Sequence, residues 1–204
     1  MSKEQRTAFE AELQIRLRER LTAPVGLKVT KNKISLSVDS DRSRTGILGL
    51  QYLQKAGGYM LTVAATNGAF TAFYERNPPP YRSNLPPEWQ YAMNSLMEKF
   101  KVFAQDIGGT VPLPTTDAAI DSTCGWICEK LNTIYLPRLS NFLLCSPGLI
   151  ADIIENPDHY DYPIPMIACA ISSNALDPRG YADRVLIKRL LKNKAYDSSV
   201  LLGA

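Results

Sequence analysis

The first apolar pattern in the chain has a helical period. Phe9, Leu13, Leu17 and Leu21 recur every four residues, which predicts an amphipathic helix over 3–21, capped by Ser2 and stopped before Pro24. The period then falls to two. Ile34, Leu36 and Val38 alternate with Lys33, Ser35 and Ser37, the pattern of a half-buried strand over 33–38, and 25–30 and 46–53 read as further strands. Residues 59–66 and 69–75 flank Asn67-Gly68, a pair suited to a two-residue hairpin turn because both residues tolerate positive φ. Five short strands with short links predict an antiparallel sheet on which the first helix packs.

Residues 77–87 hold five prolines, which fix φ and remove backbone donors, so an extended connector is expected there and not a central strand. Beyond it, Trp89, Met93, Leu96, Met97, Phe100 and Phe103 predict the buried face of a helix over 88–106. Val111, Pro112 and Leu113 read as an edge strand. The remainder predicts helices over 117–136, 138–144, 147–155, 163–174 and 181–194, punctuated by Pro137, Pro147 and Pro163. The expected fold class is therefore α+β. It is a single domain over 1–204, with a sheet-containing half 1–80 and a mainly helical half 87–204 joined by the connector 77–87.

Composition narrows the class of function. The 204 residues are 45% hydrophobic and 21% charged, the balance of a globular chain. The net charge of +3 does not supply the strongly basic face that nucleic acid requires. The charge is uneven: residues 107–180 carry three basic and eight acidic side chains, hence −5, a local field that would attract a basic partner. No apolar run approaches the ~20 residues of a membrane span. The first residues are polar and charged where a secretory signal would be apolar. A cytoplasmic location without membrane association is the expectation.

Candidate chemistry is sparse. Cys124, Cys128, Cys145 and Cys169 lack the paired spacing of a zinc site, and buried free thiols are expected. His159 is the only histidine, so a metal centre built on several histidines is excluded. The sequence has no Walker-type or Gly-x-Gly-x-x-Gly phosphate loop and no Gly-x-Ser-x-Gly nucleophile elbow. No catalytic residue, cofactor or metal is assigned. Asp152, Glu155, Asp158 and Asp161 leave open a carboxylate-held Mg²⁺ site. The densest constellation is Asp152, Glu155, Asp158, His159, Tyr160, Asp161 and Tyr162. Tyrosines offer rigid contact area, and carboxylates complement a basic surface. These seven residues are the candidate partner-binding set, and Tyr81 with Arg82 in the connector is a secondary candidate interface.

The stretch from Ser146 to Pro157, Ser-Pro-Gly-Leu-Ile-Ala-Asp-Ile-Ile-Glu-Asn-Pro, followed by Tyr160-Asp161-Tyr162-Pro163, resembles the C-terminal helical part of small bacterial immunity proteins. These are cytosolic proteins encoded beside polymorphic or type VI secretion toxins. The resemblance covers about a third of the chain and transfers no functional residue by position. It implies a non-enzymatic protein that binds one cognate toxin and blocks its active site or substrate entry. Two alternatives stand beside it: a secretion chaperone or adaptor holding an effector segment, and a small carboxylate- and Mg²⁺-dependent enzyme.

Overall fold

A computed structural model describes residues 3–31, 33–39, 42–96, 109–182 and 184–204. The chain divides into two compact units, each assembled from separate segments. One comprises Met1–Ser37, Gly46–Ala64 and Met93–Ser140, and the other Val38–Thr45, Ala65–Ala92 and Asn141–Ala204.

Helix α1 (Lys3–Arg20) buries the expected stripe of Phe9, Leu13 and Leu17. Strands β1 (Gly26–Thr30), β2 (Lys33–Ser37), β3 (Arg44–Leu53) and β4 (Gly58–Asn67) follow in sequence order, then β5 (Tyr91–Asn94). Their order in the sheet is β1-β2-β3-β4-β5, and a short β6 (Val111–Pro112) pairs with β4. The β1–β2 pair is antiparallel, with Val29 opposite Ile34 and Leu27 opposite Leu36. At the β4–β6 pair the backbones approach closely. A Cβ on Gly58 would stand 2.5 Å from the Val111 carbonyl oxygen, so the strand needs glycine there. With one N-terminal helix, an antiparallel sheet and a helical C-terminal half, the fold is α+β.

In the first unit α1 also packs on β1 and on α3 (Asp117–Lys130). Cys124, Ile127 and Cys128 form the buried face of α3. Arg16 of α1 bridges Glu12, at 2.6 Å, and Asp121 of α3, at 2.7 Å. Tyr59 is fully buried and donates its hydroxyl to Glu10 across 2.9 Å. Burial and that carboxylate push the phenol well above its ordinary range.

Pro137 does not interrupt the chain's helical path as expected. A π-helical turn, Leu131–Tyr135, leads directly into α4 (Leu136–Leu143), and the Leu136 amide donates to Leu131. Proline lacks an N–H and collides with the carbonyl four residues earlier, and a widened turn absorbs both.

Three further expectations are corrected. Asn67-Gly68 makes no hairpin. Asn67 is extended and caps a helix, α2 (Gly68–Arg76), accepting from the Ala69 amide at 3.0 Å. Phe70 and Phe73 are buried at helical spacing. Asparagine serves helix caps as well as turns, and here the apolar pattern after it has the period of a helix. The helix expected over 88–106 is not formed where it is described. Residues Tyr91–Asn94 are strand β5, alternating buried and half-buried, while Met97, Phe100 and Phe103 lie outside the described residues. The helix expected over 181–194 is two single turns, α7 (Arg179–Ala182) and α8 (Val185–Lys188), followed by α9 (Lys194–Leu202). Asn193 caps α9 by accepting from Tyr196. The helices α5 (Gly148–Glu155) and α6 (Pro163–Ser173) fall where the periodicity placed them. In the second unit α6 packs on α2, α5 and α9, and an unbroken run from Pro163 to Ile171 is buried.

Candidate binding site

The seven-residue constellation does not form one exposed face. After α5 the chain makes a single 3₁₀ turn, Pro157–His159, and then dives into the second unit. His159 is 7% exposed, Tyr160 0% and Asp161 5%. Glu155 and Asp158 remain exposed, and Asp152 and Tyr162 are half-buried. The ring of Tyr160 stacks on Tyr91 with centroids 5.0 Å apart, and the two backbones form an isolated antiparallel bridge. Its hydroxyl donates to Asp152 at 2.6 Å, and Asn156 donates to the other oxygen of that carboxylate at 2.9 Å. Tyr160 and Asp152 are thus internal partners. Among the described residues, which include all four carboxylates weighed for Mg²⁺, no three His, Cys, Asp or Glu side chains converge on a metal position.

Asp161 is held between three segments. Its amide donates to the Gln90 carbonyl at 3.0 Å, and its carbonyl accepts from the Asn84 amide at 2.9 Å. Oδ1 accepts from the Tyr74 hydroxyl at 2.9 Å and from the Tyr162 amide at 2.7 Å. Burial raises the Asp161 carboxyl to about 7, against those two bonds, which favour the anion. Burial and the facing carboxylate in turn hold the Tyr74 phenol well above its usual range.

Asp161 lies at the wall of a cleft of about 460 Å³. Tyr74, Trp89 and Tyr162 line it with aromatic surface, Leu85 and Pro87 with apolar surface, and Glu75 with a second carboxylate. Tyr162 meets Tyr74 edge-on, with ring centroids 5.2 Å apart. Gln90, also at the wall, is occupied structurally: it accepts from the Asn67 amide and donates to Thr71. Of the expected set, the cleft contains Asp161 and Tyr162. Tyr74, Glu75 and Trp89 were not foreseen, because their positions relative to Asp161 depend on how α2 and the connector fold back.

Glu155 belongs to a second feature, a groove of about 630 Å³ lined mainly by Pro147, Ile150, Ile154, Tyr181 and Leu186, with Arg184 at its side. The Arg184 guanidinium sits 4.6 Å over the Tyr181 ring. Leu186 is 53% exposed and its neighbour Val185 64%.

The secondary candidates part company. Arg82 is exposed, whereas Tyr81 is half-buried and donates its hydroxyl to Asp197. All four cysteines are buried free thiols. No described helix is long and apolar enough to cross a membrane. Compared with known protein families, curated proteins and solved structures, the chain matches none.

Proposed function

We propose that the chain is a non-enzymatic protein-binding protein, a cytosolic bacterial immunity protein. It neutralises a cognate toxin, of the polymorphic or type VI secretion kind, by covering the toxin's active site or substrate entry. The observation that carries this reading is the apolar groove between α5 and the α7–α8 turns. Leu186 of its wall and the adjoining Val185 stand exposed, although burying a side chain of their size is worth about 1.5–3 kcal/mol. Contiguous exposed apolar surface of this kind marks protein contact sites. Glu155 lines the groove, and Asp158 is exposed three residues further along the chain. The occupant that fits is an apolar segment of a folded partner flanked by basic side chains, which the two carboxylates would meet.

The test is co-expression with the toxin encoded beside its gene. The wild type is expected to rescue growth and to elute with the toxin as a 1:1 complex. Val185→Asp with Leu186→Asp is expected to abolish both while the melting temperature stays within a few degrees, since both side chains are more than half exposed. Glu155→Lys with Asp158→Lys is expected to slow association. Full rescue by the Val185/Leu186 double variant would remove the groove from the interface.

A further inference from the structure

The cleft at Asp161 shares no lining residue with the groove. We propose that it is a binding site for a guanidinium group, with Asp161 as the counter-charge and Trp89, Tyr74 and Tyr162 as the surfaces on which the planar cation stacks.

Four observations carry this. The carboxylate is buried yet lies at the wall of an open cleft, and a buried charge normally has a partner of opposite sign. Among the described residues no lysine or arginine makes an ion pair with it. Its two side-chain hydrogen bonds both fall on Oδ1, so Oδ2 carries none from a described residue. The charged residues of the wall are Asp161 and Glu75, both acidic. Burial without a counter-ion also explains why the Asp161 carboxyl is drawn up to about 7, and a bound cation would restore the anion.

The walls choose between cations. Guanidinium is flat, weakly hydrated and always charged, and it stacks on aromatic faces while offering paired N–H donors to a carboxylate. Ammonium is compact and strongly hydrated, and it loses more on entering an aromatic cleft. A cleft of about 460 Å³ has room for an arginine side chain with part of its backbone. The guest can be the arginine of a protein partner or a free guanidine, and the two are separated by experiment. The site does not depend on the immunity reading, because its residues and its ligand are distinct from those of the groove.

The experiment is an NMR titration of the whole protein, following the indole N–H signals of Trp89 and Trp126. The latter belongs to the first unit and serves as the internal control. N-acetyl-arginine amide is expected to shift Trp89 saturably and to leave Trp126 in place. N-acetyl-lysine amide is expected to bind severalfold more weakly. Asp161→Asn keeps an acceptor for Tyr74 and Tyr162 but removes the charge, and should weaken binding about tenfold. Glu75→Gln, on an exposed helix position, should weaken it a few-fold. Tighter binding of the arginine derivative than of methylguanidinium assigns the site to a protein side chain, and equal binding assigns it to a free guanidine. Absence of saturable shifts with either compound, or equal affinity for the lysine derivative, or unchanged affinity in Asp161→Asn, would overturn the proposal.

Discussion

The Tyr81 hydroxyl donates a 2.6 Å hydrogen bond to Oδ1 of Asp197, a residue 116 positions later in the chain. Asp197 is fully buried, and its Oδ2 accepts from the amides of Lys192 and Asn193, each at 2.8 Å. The Tyr81 ring carries the Lys192 ammonium 5.5 Å from its centroid and meets Tyr196 edge-on. Tyr196 in turn donates to the Asn77 carbonyl at 2.6 Å. The proline-rich connector is therefore tied to the start of α9 at Asn77 and at Tyr81.

Removing that carboxylate strands three donors at once. Asp197→Ala is expected to destabilise the protein by about 2–3 kcal/mol, since three hydrogen bonds to one buried carboxylate, each worth about 0.5–1.5 kcal/mol, are lost together. Tyr81→Phe removes one bond and should cost about 1 kcal/mol. Urea unfolding monitored by circular dichroism measures both, and equal losses in the two variants would show that the amides of Lys192 and Asn193 find other acceptors.

Asp161 gives stability a pH dependence of unusual sign. Its folded carboxyl titrates near 7 and its unfolded one near 3.8. Between those values the native state holds a proton that the unfolded chain has released, so stability falls as pH rises. The slope contributed is at most about 1.4 kcal/mol per pH unit, and it vanishes once pH exceeds the folded value. Asp161→Asn should remove this contribution, so the wild type should lose stability relative to the variant as pH rises from mildly acidic to neutral. Urea midpoints across that range that run parallel for the two proteins would contradict the assignment.

Asn67 works through both ends of its amide. Oδ1 caps α2, and Nδ2 donates to the carbonyls of Phe142 and Leu143 at 2.9 and 3.1 Å. Asn67→Ala should cost about 3 kcal/mol, combining a lost cap with carbonyls left dry. Asn67→Asp keeps an equally good cap but turns the donor into an acceptor facing two carbonyls. It should therefore destabilise at least as much as alanine, and a near-neutral result in thermal unfolding would reduce Asn67 to a simple cap.

The thiols should be silent in the native protein. Cys124, Cys128, Cys145 and Cys169 are each at most 5% exposed; burial pushes Cys124 up to about 12, whereas a hydrogen bond from Cys145 draws Cys169 below its ordinary value. Access limits the attack as much as thiolate content does, so a disulfide reagent at mildly alkaline pH is expected to label none of the four buried thiols quickly, and all of them in urea. Prompt labelling of one native cysteine would show that its segment opens easily.

Much of the fold was legible because local periodicity records which side of an element is buried. The four-residue stripe of α1, the alternation in β2 and the apolar faces of α5 and α6 each say this within a few residues. The site was less legible. The stretch from Asp152 to Tyr162 was singled out for its side chains, but a run of polar residues looks alike whether it faces water or is satisfied inside. Tyr160 and His159 are interior, and Asp161 reaches a cleft whose other walls, Tyr74 and Trp89, come from segments distant in the chain.

The sequence by itself determined the α+β class, the first helix, the early strands and the two apolar C-terminal helices, because each of these follows from the spacing of neighbouring side chains. Only the tertiary structure decided that Asn67 caps a helix instead of turning a hairpin, that a π turn carries the chain past Pro137, and that Asp161 is a buried carboxylate beside aromatic walls. In each case the deciding group is one whose local preferences allow two outcomes. The outcome is selected by a partner far along the chain or, at Pro137, by a backbone that widens to keep its packing.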